Sequence, residues 1–110
     1  MACREEEYEN VLKNTCGAKI TSWWDRAVDI IPADGGKGPG IAKMLAYYGI
    51  DRSKAMAFGD GNNDIGMFRA VDLGIAMENA SEDLKAVAAD TCGHVAEDGV
   101  YHYCEKHGLI

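Results

Sequence analysis

Apolar positions recur along this chain in two rhythms, one close to every third or fourth residue and one every second. Residues 4–14 set Tyr8, Val11 and Leu12 among glutamates and a lysine, which predicts a short amphipathic helix ending near Cys16-Gly17. Ile20 to Trp24 reads as a strand, and Val28 to Ile31 as a second one stopped by Pro32. A glycine-rich loop, Ala33 to Gly40, then leads into a helix with Ile41, Met44, Leu45 and Tyr48 on one face, ended by Gly49.

The second half continues in the same way. Met56-Ala57-Phe58 is a short apolar strand that runs into Gly59-Asp60-Gly61-Asn62-Asn63-Asp64, followed by a helix through Met67, Phe68 and Ala70. Val71, Leu73, Ile75 and Met77 alternate with Asp72, Gly74 and Ala76, a strand with one bulky face and one small face that a helix can approach closely. Ser81 has the character of an N-cap for a helix reaching about Ala89, with Glu82 and Asp83 in its first turn. A brief strand near His94 to Ala96 and a helix from about Asp98 to His107 complete the pattern. Strand and helix alternate from residue 28 onward, so the predicted fold class is α/β, a three-layer α/β/α arrangement on a parallel sheet.

Composition narrows this further. The 110 residues are 47% hydrophobic and 26% charged, with only two prolines, which is the balance of one globular domain and not of a disordered chain. No window approaches eighteen consecutive apolar residues, so no membrane span is predicted. The N-terminus is acidic where a signal peptide needs a basic end, so a cytoplasmic location is expected. A net charge of −7 repels phosphate backbones and anionic lipid, which disfavours nucleic-acid and membrane-surface partners. It leaves room for a small phosphorylated substrate received by a local cation.

Cys3, Cys16, Cys92 and Cys104 are widely scattered and, with no secretory signal, read as free thiols. Cys92, His94, His102 and Cys104 match none of the usual zinc spacings. In a helix over 98–107, His102 and Cys104 stand about 200° apart, so one metal does not suit both.

The run from Gly59 to Asp64 carries the candidate chemistry, because ligands of such sheets sit at the carboxyl ends of strands. As a dinucleotide loop it fails: the third glycine is replaced by Asp64, which with Asp60 puts negative charge where a pyrophosphate must lie. As an EF-hand it fails too, with Ile65 at the sixth position and Val71 at the twelfth. A Mg²⁺ site for phosphate chemistry fits better, since Asp60 and Asp64 offer hard oxygen ligands and leave space for water and a phosphoryl oxygen. Asn62 or Asn63 then supplies an amide to substrate or loop. The plain alternative is an acidic helix cap, since aspartate and asparagine favour helix starts for local reasons. Lys37, between Gly36 and Gly38 at a helix start, is placed to hold a phosphate beside backbone N–H groups, although this is not a Walker A loop. Alone, such a lysine is an ordinary surface group; its pairing with the Asp60 loop gives it meaning.

In order, a glycine-rich Lys37 loop, a helix, a short strand, Gly-Asp-Gly-x-Asn-Asp and then Leu73 to Ala80 resemble the C-terminal half of haloacid dehalogenase-like phosphatases. The likeness is greatest to the Cof-type (subclass IIB) branch and runs from about Val28 to Ile110. The resemblance implies a Mg²⁺-dependent phosphatase of small phosphorylated metabolites, such as sugar phosphates. It implies catalytic roles for Lys37, Asp60 and Asp64. Lys37 and Asn63 are to bind substrate, Lys37 at the phosphoryl oxygens; Asp60 and Asp64 are to serve the metal, or Asp64 to orient Lys37. Residues 1–24 resemble the closing segment of a cap domain, and 25–110 the C-terminal half of the hydrolase core.

The family's nucleophile and acid–base pair form an Asp-x-Asp motif, and no two aspartates of this sequence lie two apart. The covalent route is therefore closed to this chain alone, and the strand expected beside 56–58 is absent. The chain is expected to be a C-terminal piece that associates with the N-terminal half. The rival expectation is a non-catalytic α/β module that forms homo-oligomers through an exposed sheet edge.

Overall fold

The computed structural model describes residues Met1–Ile110. After a 3₁₀ turn at Glu5–Glu7 the elements are α1 (Tyr8–Leu12), β1 (Ala18–Trp24), β2 (Ala27–Pro32) and α2 (Lys37–Tyr48). There follow β3 (Met56–Gly59), α3 (Ile65–Ala70), β4 (Leu73–Met77), α4 (Glu82–Val87), β5 (Asp90–Cys92) and α5 (Gly99–Lys106). The strands form two separate sheets.

β3, β4 and β5 make a parallel sheet with β4 in the middle, in register Phe58↔Ile75 and Ala76↔Thr91. The alternation read in 71–77 is realised here. Ile75 and Ala76 are wholly buried, and Leu84 of α4 is equally enclosed. The small face works as its sequence predicts: a Cβ on Gly74 would lie 2.5 Å from the Phe68 ring, so α3 sits directly on the strand. These side chains, with Val71, Met77 and Tyr103, form one contiguous core. Arg52 fastens the amino end of the sheet. Its Nε meets Asp72 Oδ1 at 2.6 Å and its Nη2 donates to the carbonyls of Arg69 and Val71 at 2.9 and 3.2 Å.

β2 does not join the parallel sheet. It pairs antiparallel with β1, from Ala18↔Pro32 to Trp24↔Ala27. Only Asp25 and Arg26 separate the two strands, enough for a hairpin, whereas a parallel crossover needs a dozen residues or more. The other edge of β2 is taken by the N-terminus, where Val28 N donates to Met1 O at 2.9 Å and the Met1 ammonium to Val28 O at 2.9 Å. Val28 and Cys3 are thereby buried away from the main core.

Two further expectations change. The strand placed at His94–Ala96 forms instead at Asp90–Cys92; the later residues make a 3₁₀ turn in which His94 Nδ1 accepts from Ala96 N at 3.0 Å. Gly93 and the start of α5 pack backbone to backbone here, since a Cβ on Gly99 would lie 2.0 Å from the Gly93 carbonyl oxygen. On α2 the predicted apolar stripe is only partly used: Ile41 and Leu45 are half-buried, while Met44 and Tyr48 are exposed. α2 approaches the core mainly through its first turn, where Gly38 is buried. No helix is long and apolar enough to cross a membrane.

Candidate active site

Three chain segments converge at the carboxyl end of β3. Gly59 ends the strand, a 3₁₀ turn over Asn62–Asp64 follows, and α3 starts at Ile65. Asp64 is turned inward and buried, its carboxylate folded back on the loop that precedes it. Its Oδ2 accepts from the backbone of Asp60 at 3.0 Å and of Gly61 at 3.4 Å. Its Oδ1 pairs with Lys37 Nζ. Gly59 allows this fold-back, since a Cβ there would lie 2.8 Å from both Cβ and Oδ2 of Asp64.

Lys37 is brought to Asp64 by the way α2 begins. Gly36, with φ at +120°, is in backbone space that side-chain-bearing residues avoid, and it turns the chain into the helix. Gly38 then meets α3 backbone to backbone: a Cβ on it would lie 2.5 Å from Gly66 O. The missing side chain of Gly38 lets the helix starts touch at the Gly66 carbonyl, and that contact fixes where the Lys37 stem leaves. The side chain is half exposed, so the ammonium can face solvent as well as Asp64.

Asp60 is exposed. Its backbone is held on both sides, by Asp64 Oδ2 and by Ser81 N, which donates to Asp60 O at 3.0 Å. Ser81 caps α4 by accepting from Leu84 N at 3.4 Å and donates its hydroxyl to Asn62 Oδ1 at 2.6 Å. Asn62 Nδ2 donates to Asp83 at 3.3 Å, so of the two asparagines Asn62 secures the loop. Asn63 lines a cleft of about 360 Å³ with Lys37.

Structure therefore brings Lys37, Asp60, Asn63 and Asp64 into one neighbourhood. It also adds residues that the sequence did not single out. Lys19, Thr21 and Asp29 of the hairpin line the Lys37 cleft, and Lys19 Nζ is 3.9 Å from where a Gly36 Cβ would stand. Thr21 and Asp29 are opposed in the β1–β2 register, as are Lys19 and Ile31. The i, i+2 spacing of Lys19 and Thr21 hinted at a shared face, but only the hairpin pairing shows what that face meets.

The donor set can be tested against the Mg²⁺ that such a loop suggests. Asp60 presents an exposed carboxylate, a hard-oxygen donor that suits the ion. Both oxygens of Asp64 already hold N–H donors, and no cluster of three or more acidic, histidine or cysteine side chains is gathered here. The chain offers part of an octahedral shell and not a whole one.

The chain is similar in sequence and in fold to known proteins. The sequence profile described as haloacid dehalogenase-like hydrolase matches residues 2–104. An uncharacterised protein of the pdhA 5′ region in Geobacillus stearothermophilus is 41% identical over 92 residues, 84% of this chain and 97% of that protein. The putative phosphatase YkrA of Bacillus subtilis is 33% identical across 98% of this chain, which spans only 42% of YkrA. Among solved structures, the subclass IIB sugar phosphatase BT4131 superposes with a TM-score of 0.85 at 34% identity, over 97% of this chain and 41% of that one.

Proposed function

The chain belongs to the haloacid dehalogenase-like hydrolases, and from that premise we propose that it carries the phosphate clamp and part of the metal shell of a phosphatase of small phosphorylated metabolites. The observation that carries this reading is the Lys37–Asp64 pair at the end of β3. A buried carboxylate, anchored through one oxygen by two backbone N–H groups, holds a half-exposed ammonium with the other at the mouth of a cleft. Lys37 binds phosphoryl oxygens and offsets charge gathering on them, together with N–H groups at the start of α2. Asp64 acts as a positioning residue. It fixes Lys37 and the Asp60 backbone, which leaves Asp60 as this chain's ligand for Mg²⁺. A bound Mg²⁺ supplies charge neutralisation on the transferring group. Asn63 donates to the substrate from the same cleft.

The attacking carboxylate comes from outside these residues. β3 has a neighbour on one side only, and its free edge is where a strand bearing Asp-x-Asp pairs. Because β2 pairs with β1 and not with the parallel sheet, in this reading the boundary expected at residue 24 moves to the end of the hairpin: residues 1–32 close the cap and residues 33–110 complete the core. The sugar phosphatase likeness supports a small phosphate monoester as substrate.

Incubation with Mg²⁺ and para-nitrophenyl phosphate tests the reading. The chain alone is expected to show no turnover, and addition of an N-terminal core half carrying Asp-x-Asp is expected to restore it. Asp60→Asn should abolish the restored activity. Turnover by the verified 110 residues alone, or restored activity that survives Asp60→Asn, contradicts the assignment.

A further inference from the structure

One wall of the Lys37 cleft is a single face of the β1–β2 hairpin. Lys19 and Thr21 stand on it from β1, Asp29 and Ile31 from β2. They share that face because Lys19↔Ile31 and Thr21↔Asp29 are register partners and side chains two apart on a strand point the same way. The charged side chains lining the cleft are Lys19, Asp29 and Lys37.

The polar members of this face are unengaged. Lys19 and Thr21 are half-buried and Asp29 is exposed, and none of them forms an ion pair within the chain. Lys19 does not turn to Asp29 on its own face. It reaches Gly36, with Nζ 3.9 Å from where a Cβ on that glycine would stand, and so joins Lys37 at the glycine loop. Thr21 and Asp29 lie two residues farther along the hairpin, about 7 Å toward its tip. The cleft is therefore polarised along its length, with cations at one end and a carboxylate at the other.

We infer that Asp29 selects a phosphate monoester that carries an aliphatic ammonium group, with the phosphate at Lys37 and Lys19 and the amine against Asp29 and Thr21. The inference rests on the phosphate reading of the Lys37 cleft and adds the group that the organic part of the substrate presents. An ammonium has three donors and no acceptor, which matches a carboxylate that only accepts and a hydroxyl able to accept as well. A substrate hydroxyl offers one donor and forms the weaker bond, because it lacks the charge on the donor side. A second anionic group is repelled by Asp29. Ile20 and Ile31 supply apolar surface for the carbon frame between the two ends. A cleft of about 360 Å³ is at the small end of ligand sites, which run from about 300 to 1,000 Å³, and suits a short chain or a single sugar ring.

A titration of the ¹⁵N-labelled 110-residue chain in Mg²⁺ tests this, at a pH that keeps the amine protonated. Three probes are compared: inorganic phosphate, glucose 6-phosphate and glucosamine 6-phosphate, the two esters differing only by an amine in place of a hydroxyl. All three are expected to shift the Gly36 and Gly38 amides. The amino ester is expected also to move the Thr21 and Asp29 amides and to bind roughly three- to tenfold more tightly than glucose 6-phosphate. Asp29→Asn keeps the shape of the side chain and should bring the two esters to equal affinity. Lys19→Met should weaken both esters by the same factor and leave their ratio unchanged. Equal affinity for the two esters in the unaltered chain overturns the amine assignment and leaves the phosphate reading standing. So does a preference that survives Asp29→Asn, or one that is lost in Lys19→Met. No amide shift with any probe overturns the phosphate reading and the amine assignment with it. The ratio in the unaltered chain decides even where a variant fails to fold.

Discussion

Lys37 Nζ and Asp64 Oδ1 form an ion pair between residues 27 apart in sequence, and only the second partner is buried. The asymmetry matters. Lys37 retains water as an alternative partner, whereas Asp64 also satisfies two backbone N–H groups that have no other acceptor. Removing either side therefore has different consequences.

Asp64→Ala strands the Asp60 and Gly61 amides and should destabilise the fold by about 2 kcal/mol. Lys37→Met breaks a half-exposed pair and should cost about 1 kcal/mol or less, after allowance for solvent screening. Urea denaturation of both variants checks the order. Equal losses would mean that Asp64 contributes to stability only through Lys37.

The Gly38–Gly66 contact predicts a second asymmetry. Gly38→Ala places a methyl group 2.5 Å from Gly66 O and should destabilise by about 1–3 kcal/mol while displacing Lys37. Gly40→Ala, in the same helix but with nothing near its Cβ, should be neutral or stabilising by up to about 1 kcal/mol. Thermal melts should show a lower melting temperature for Gly38→Ala and an unchanged or higher one for Gly40→Ala.

These contacts mark how far the sequence could be read. The 71–77 alternation, the αL end of α2 at Gly49 and the Ser81 cap were legible because each rests on neighbours a few residues away. The pairing of β2 with β1 was legible in principle from the two residues between Trp24 and Ala27, yet alternation of strand and helix pointed to a parallel sheet. At 90–96, a strand of three residues with two exposed and only Cys92 buried carries little periodic signal, and the parallel register with β4 decides the placement. Lys37, Asp60 and Asp64 stood out through glycine and charge. The hairpin wall of Lys19, Thr21 and Asp29 did not, since only tertiary packing brings it over the Lys37 loop.

The centre of the core has its own test. Leu84 is fully buried between α4 and the sheet, so Leu84→Ala should lose about 2–5 kcal/mol. Differential scanning calorimetry should show a melting temperature lower by roughly 10 °C or more.

Acid should loosen the C-terminal helix first. Thr91 N donates to Asp90 Oδ1 at 2.8 Å and Tyr103 OH to Asp90 Oδ2 at 3.0 Å. These bonds hold the Asp90 carboxyl below its ordinary range, and burial pushes the Tyr103 phenol up. A carboxyl with a depressed folded-state pKa stabilises fully above its unfolded value near 3.8 and loses that contribution as pH falls through the folded value. Tyr103→Phe should raise the Asp90 pKa and lower the melting temperature at neutral pH by a few degrees, about one hydrogen bond. The difference between the two proteins should shrink below pH 4 or so, where the carboxyl protonates. NMR titration of the Asp90 side chain, with melts at each pH, measures both.

The central claim is that Lys37, set by Asp64, is a phosphate clamp, and saturable phosphate binding that depends on Lys37 tests it most directly. In a ¹⁵N-detected titration with inorganic phosphate and Mg²⁺, the Gly36 and Gly38 amides of the unaltered chain are predicted to shift along a saturating curve. The same titration of Lys37→Met is predicted to give at least tenfold weaker binding, the loss of about 1.4 kcal/mol of charge-assisted contact. Identical curves for the two proteins, or no saturable shift in the unaltered chain, would contradict it.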